Sequence, residues 1–227
     1  MKDFYWVEAA EKEWNTRANS WHAKSKEMWD NGSRKDIVPF FKQYVHRGAR
    51  VVDLGCGDGY GSYKLSKVGY SVTGIDVSEE MVEKANSLVE PEINLHFAKG
   101  DIANIDVADR HFDAVLAINS LEWTESPLTV LEEMKRVVKP GGKACVGILG
   151  PTAAPRENSY RRLYGSPVVC NTMMPWEFER LAEENGWRKT AELGVYKRDT
   201  EKLSKGALTK EIRQSLTFMT VFLLELQ

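Results

Sequence analysis

No run of about eighteen apolar residues, the length a membrane-spanning helix needs, occurs in the chain. The apolar stretch LTFMTVFLLEL near the C-terminus is too short and reads as a buried strand. The opening MKDFYWVEAAEKEW is charged throughout and lacks the apolar core of a secretion signal. Cysteine is scarce: Cys56, Cys145 and Cys170 stand apart with no CxxC spacing, which argues against a disulfide framework and against a zinc site, so no metal is expected. There is no basic excess either. Lys and Arg number 31 against 33 Asp and Glu, for a net charge of −2, so nucleic acid is not the default partner. These absences together predict a reduced, cytoplasmic protein. With no internal repeat, low-complexity tract or Gly/Ser linker, residues 1–227 read as one domain.

What is present is an alternation. From about residue 48, short Val- and Ile-rich runs bounded by turn residues (ARVVDLG, YSVTGIDV, INLHFAKGD, FDAVLAINS, KACVGILG) carry the strand signature. Between them lie amphipathic segments. SEEMVEKANSLV opens on Ser78 as N-cap and sets Met81, Val82, Ala85, Leu88 and Val89 on one face. SPLTVLEEMKRVVK opens on Ser126 with Pro127 at the first helical position and stops at KPGG. Such alternation predicts parallel strands joined by right-handed crossovers, an α/β doubly wound sheet. Residues 1–47 read as a helical, aromatic cover and 48–150 as the core. Residues 151–185 form an inserted lobe ending in the helix PWEFERLAEENG, and 186–227 supply the final strands.

The densest signal is VVDLGCGDGYG, residues 51–61. In a doubly wound sheet ligands bind outside the carboxyl ends of the strands, so this first strand–turn–helix is the candidate cradle. Gly55, Gly57 and Gly59 let the backbone turn tightly and approach a ligand. A dinucleotide GxGxxG register fails: from Gly55 the third position is Tyr60, and from Gly57 it is Ser62. Asp58 inside the turn suits a cationic or hydroxyl-rich ligand better than a pyrophosphate, unless it only caps the next helix. Asp76 ends the second strand about twenty residues on, where a carboxylate can accept from both hydroxyls of a ribose. Asp101 ends the third strand and Asn119 the fourth.

In order and spacing, VVDLGCGDG, GIDVS, KGDI, FDAVLAINSLEW and VVKPGG resemble the motifs of class I S-adenosylmethionine-dependent methyltransferases, most closely the small-molecule branch that includes quinone-pathway C-methyltransferases. The resemblance covers roughly residues 45–150. It implies a Rossmann-like seven-stranded sheet of order 3-2-1-4-5-7-6 with strand seven antiparallel, and S-adenosylmethionine as cofactor with S-adenosylhomocysteine as product. Carried over residue by residue, Asp53 and the backbone of Gly55, Cys56, Gly57 and Gly59 would hold the methionine moiety. Asp76, with Val77 beside it, would grip the ribose. Met81, Asp101 and Ile102 would surround the adenine, and Asn119 with Leu121 would meet the methionine amino group. Arg34 could pair with the methionine carboxylate or be a solvated helix-start arginine.

Methyl transfer by in-line displacement needs alignment and exclusion of water, and a base only where the acceptor must lose a proton. No catalytic signature is required and none is present. His22, Glu122 and Tyr160 are candidates for that proton, each with a plainer structural reading. Trp6, Trp14, Trp21 and Trp29 recur every 7–8 residues on one helical side, as a stripe packed on the sheet or a lid with Tyr5 or Trp14 lining the pocket. Trp14, Trp123, Tyr160, Tyr164 and Trp176 are candidate acceptor contacts, and 151–185 would be the acceptor lobe. A local basic patch of Arg156, Arg161 and Arg162 would be needed by the rival reading, a methyltransferase acting on RNA or protein. A non-catalytic S-adenosylmethionine-binding protein and a nicotinamide oxidoreductase also compete with it. NSLE stands where amino-methylating nucleic-acid enzymes carry an NPPY-type tetrapeptide, and Trp123 stands where a histidine is frequent in the small-molecule branch.

Overall fold

The computed structural model describes residues 4–200 and 202–227, so Met1–Asp3 of the N-terminal cover lie outside the described residues. The β-branched runs form β1 (Arg50–Leu54), β2 (Ser71–Asp76), β3 (Leu95–Lys99), β4 (Phe112–Ile118) and β5 (Val138–Leu149), followed by β6 (Trp187–Tyr196) and β7 (Thr217–Leu226). They make one seven-stranded sheet of order β3-β2-β1-β4-β5-β7-β6. The pairs from β3 to β5 are parallel, and β7 runs antiparallel to both β5 and β6. This is the doubly wound order that the motif resemblance implies.

The helices are α1 (Trp6–Asp30), α2 (Ile37–Phe41), α3 (Tyr60–Lys67), α4 (Glu79–Asn86), α5 (Pro127–Val137), α6 (Pro175–Glu184) and α7 (Lys210–Ser215). Alternation along β1 feeds two cores. Val52 and Leu54 join Val130 and Met134 of α5 in one, and Val51 joins Phe41 and Leu65 in the other. Ser78 and Ser126 cap as their sequence positions suggest, accepting from the backbone N–H of Met81 and Thr129, each at 3.2 Å.

Four segments depart from expectation. Helix α4 ends at Asn86, so Val89 falls outside its apolar face and is exposed. The KPGG stop does end α5, but β5 begins at Val138 and runs through those residues. The register against β4 shifts there, between Phe112 and Ala114. The loop-rich stretch after β5 contains a 3-10 helix, Ala154–Tyr164. Arg156, grouped by sequence with Arg161 and Arg162 as a basic patch, is instead buried as its anchor. Its guanidinium donates to the carbonyls of Leu149, Gly150 and Met173. Helix α7, capped by Thr209, precedes β7 and carries no strong sequence signal.

Helix α1 packs on α3 and α4 across the carboxyl end of the sheet. Polar contacts fix it at three heights. Ser78 Oγ donates to Asn15 Oδ1 at 2.6 Å, Ser25 Oγ donates to Asp58 at 2.6 Å, and Lys64 donates to Asp30 at 2.7 Å. Trp6, Trp14 and Trp21 of the stripe thereby lie over the strand ends, whereas Trp29 packs into the core against Gly61 of α3.

Candidate active site

A cavity of about 240 Å³ opens between the ends of β1, β2 and β4 and the underside of α1. Its floor is the glycine turn. The amides of Gly55 and Cys56 both donate to the carbonyl of Ile75, at 2.8 and 3.1 Å, which folds the turn back over β2. Gly55 has φ +70°, and a Cβ there would lie 2.4 Å from Cβ of Ser120, so the turn can close on β4 only with glycine.

Carboxylates line one side. Asp76 accepts from the backbone N–H of Gly57 at 2.8 Å and of Ser78 at 2.9 Å. Burial nonetheless pushes its carboxyl up to about 6, against the lowering effect of those two bonds. Asp101 accepts from Ala103 N–H at 2.9 Å and reaches the same cavity. Val77, Met81 and Ile102 supply apolar surface beside them. The opposite wall is Asn119, held at φ +55°, and Ser120, whose buried hydroxyl has no hydrogen-bond partner among the described residues. Trp6, Trp14 and Trp21 form the roof.

A second cavity, about 280 Å³, shares Trp14, Trp21, Asn119 and Trp123 with the first. Arg34 lies on its wall, 4 % exposed. Its guanidinium donates to Asn119 Oδ1 at 3.1 Å and stacks over Trp21, 5.0 Å from the ring centroid. No carboxylate among the described residues comes within ion-pair distance of it. Burial draws its pKa down to about 10, with the more distant charges of Asp58 and Glu122 working the other way.

Asp76, Val77, Met81, Asp101, Ile102, Asn119, Gly55 and Gly57 thus surround one cavity. Apart from Arg34, Trp14 and Trp123, the other candidates lie elsewhere. Cys56 turns its thiol toward Gly57 O, and burial raises its pKa well above the ordinary thiol value. Gly59 is a packing glycine whose Cβ position is filled by the Phe97 ring and Ala85. Leu121 is fully buried beneath the wall. Asp58 neither caps α3 nor reaches the cavities. It is buried under α1, bonded to Ser25 and, at 2.8 Å, to His22 Nδ1, which commits His22 to the same contact. Glu122 is fully buried, and one oxygen accepts from Leu149 N–H at 2.5 Å. Tyr160 and Tyr164 stack on one another at the surface, 53 % and 67 % exposed. Trp176 and Tyr5 line neither cavity, whereas Trp14 and Trp123 line both. Ser120 and Arg17 had no sequence signal of their own. Trp6 and Trp21 had one in the stripe. Trp6 Nε1 donates to Trp123 O at 2.7 Å, tying the roof to the wall.

Asp53 sits one layer below the turn, buried, and accepts from Ser62 Oγ at 2.6 Å. Burial raises its carboxyl to about 7, from 3.8, with the charge of Asp76 adding to the rise. A raised carboxyl contributes its stability fully below pH 3.8, and that contribution is lost as pH climbs through about 7. Asp53→Asn, which keeps an acceptor for Ser62, should therefore raise the melting temperature at pH 8 more than at pH 5. The gain should be at most about 4 kcal/mol. An equal shift at both pH values would show that Asp53 is ionised throughout.

Comparison with known proteins places this geometry. Residues 52–146 match the family model described as a methyltransferase domain. A ubiquinone biosynthesis O-methyltransferase of Coxiella burnetii is 32% identical over 103 residues, 45% of this chain and 44% of its own. A 2-methyl-6-phytyl-1,4-hydroquinone methyltransferase of Synechocystis is 36% identical over 96 residues, 42% of this chain and 30% of its own. The chain therefore spans less than half the length of these curated relatives. Among solved structures, a chain of the complex between the Haloferax volcanii Trm112 methyltransferase activator and a methyltransferase superposes with a TM-score of 0.73 at 22% identity, covering 96% of each chain. The matched segment contains the glycine turn, Asp76, Asp101 and Asn119, so residues 52–146 are similar to a methyltransferase domain, carried here on a sheet of the order that the motif resemblance implies.

Proposed function

We propose that the protein transfers the methyl group of S-adenosylmethionine to a small-molecule acceptor. The observation that carries this reading is the pair of joined cavities beneath α1. One is lined by carboxylates at the strand ends. The other is lined by a buried guanidinium with no ion-pair partner among the described residues, and both share Asn119 and three tryptophans. The residues fit the cofactor chemically. Among the described residues the buried Ser120 hydroxyl has no hydrogen-bond partner and the Arg34 guanidinium no ion-pair partner, places that a hydroxyl-rich ligand with a carboxylate can fill. The glycine turn leaves room where a side chain would intrude. Asp76 would take the ribose hydroxyls, Asp101 and Met81 the adenine, Asn119 the amino group, and Arg34 the carboxylate.

Bound there, S-adenosylmethionine supplies a methyl group made electrophilic by the sulfonium. The chain's own part is alignment and exclusion of water. Trp14 meets Trp123 edge to face, 5.1 Å between centroids and 90° between planes, on the wall that the two cavities share. A cationic ligand end above the buried Asp53 and Asp76 would favour their ionised forms, against the burial that raises both carboxyls. No general base is assigned: His22 and Glu122 are held by other contacts, and Tyr160 is on the surface.

The small-molecule reading draws support from the aromatic second cavity, and from a relative named for a hydroquinone acceptor. Incubating the protein with methyl-labelled S-adenosylmethionine and a fractionated cell extract tests it. Label is expected in the low-molecular-weight fraction. Label confined to RNA or protein would overturn the reading in favour of a macromolecular acceptor.

A further inference from the structure

The two cavities are sharply divided in charge. The first is lined by Asp76, Asp101 and Glu125 and by no lysine or arginine. The second is lined by Arg17, Lys24 and Arg34 and by no aspartate or glutamate. In a chain of net charge −2 this separation does not follow from composition. On the reading above, Arg34 is matched by the amino-acid carboxylate of the cofactor. That leaves Arg17 and Lys24, seven residues and so about two turns apart on one side of α1. Arg17 is shared with Glu13 and donates to Asn158 Oδ1 at 2.9 Å. No ion pair neutralises Lys24 among the described residues. Apart from Ser20, Asn119 and Asn158, the rest of the lining is apolar or aromatic. Trp14 and Trp123 present rings at right angles, the Arg17 guanidinium lies 5.6 and 6.0 Å from them, and Leu149 and Phe218 close the far end.

We propose that the second cavity is an organic-acid site: the acceptor is a molecule with a flat apolar body whose acid group is held by Lys24 and Arg17, and whose ring lies against Trp14 and Trp123. The proposal rests on the methyltransferase reading for calling this molecule the acceptor, but the anion site itself does not depend on it. A charged group held by an ammonium and a guanidinium at a partly desolvated mouth discriminates strongly against its neutral ester, which leaves both cations facing an apolar group. An acid anchored on α1 would also tie the helix down over the cofactor cavity, because both cations and the roof tryptophans share that helix.

The test is calorimetric titration of the full chain with 2-naphthoate and with methyl 2-naphthoate, each with and without S-adenosylhomocysteine. The acid should bind about tenfold or more tightly than the ester, the scale of one charge-assisted hydrogen bond. The double variant Arg17→Gln, Lys24→Gln should lose that preference while S-adenosylhomocysteine affinity stays at the wild-type value. Equal binding of acid and ester, no binding of either, or an acid preference that survives the double substitution would each overturn the proposal. If S-adenosylhomocysteine fails to bind while the acid preference holds, the cofactor reading falls and the anion site stands.

Discussion

Arg34→Met should weaken S-adenosylhomocysteine binding by about a hundredfold or more, the scale of removing one partner from a buried, hydrogen-bonded charge pair. The same substitution should leave the ligand-free protein as stable as before, or more so. The reason is an asymmetry. Without ligand, the guanidinium is buried with an amide, a thioether and the face of Trp21 for company, and no carboxylate among the described residues lies within ion-pair reach to offset its desolvation. Its depressed pKa reports the same cost. Methionine keeps the contact with Trp21 and removes the charge. Thermal melts and calorimetry on one preparation separate the two effects. Unchanged affinity would show that Arg34 does not meet the ligand. A collapse of the ligand-free melting temperature would show that its role is structural.

Gly59→Ala should destabilise the fold by about 3 kcal/mol or more, whereas Gly141→Ala should cost about 1–2 kcal/mol. Both residues have left-handed backbones, φ +77° and +73°, so the conformational strain is common to both. What differs is space. A Cβ on Gly59 would lie 2.5 Å from Cζ of Phe97 and 2.7 Å from Cβ of Ala85, inside the packing of α3 and α4 on β3, while at Gly141 nothing lies within 4 Å. Urea denaturation of the pair isolates packing from strain. Similar losses at both sites would mean that the contacts around Gly59 relax freely. The last glycine of the turn thus serves the core, and only Gly55 and Gly57 border the cavity.

This division marks how far the sequence is informative. Strands with β-branched runs and caps such as Ser78 are written locally, and five motifs in order imply the sheet that is found. Carboxylates at strand ends are legible for the same reason: the topology sends every parallel strand end to one edge. Pairings across the chain are not. Asp58 meets His22 and Ser25 more than thirty residues away, and nothing near Asp58 announces a helix lying over it. Arg156 looks like surface charge in its local sequence, and becomes an internal anchor only because three carbonyls converge on it. Tyr160 and Tyr164, one helical turn apart and aromatic, suggest a pocket wall, yet they stack against each other rather than against the cavity. The tryptophan stripe shows its periodicity in the sequence. That Trp6, Trp14 and Trp21 roof the cavities while Trp29 goes to the core against Gly61 is set by the long-range contacts of α1.

The proposed activity turns on whether the glycine turn and the carboxylates at the strand ends hold S-adenosylmethionine rather than a dinucleotide. Titrating the protein with S-adenosylhomocysteine in a calorimeter, with NADH run alongside, tests this most directly. Binding of S-adenosylhomocysteine with one site per chain, and no heat from NADH, is the predicted result. NADH binding in the absence of S-adenosylhomocysteine binding would contradict the assignment and return the glycine turn to a different ligand.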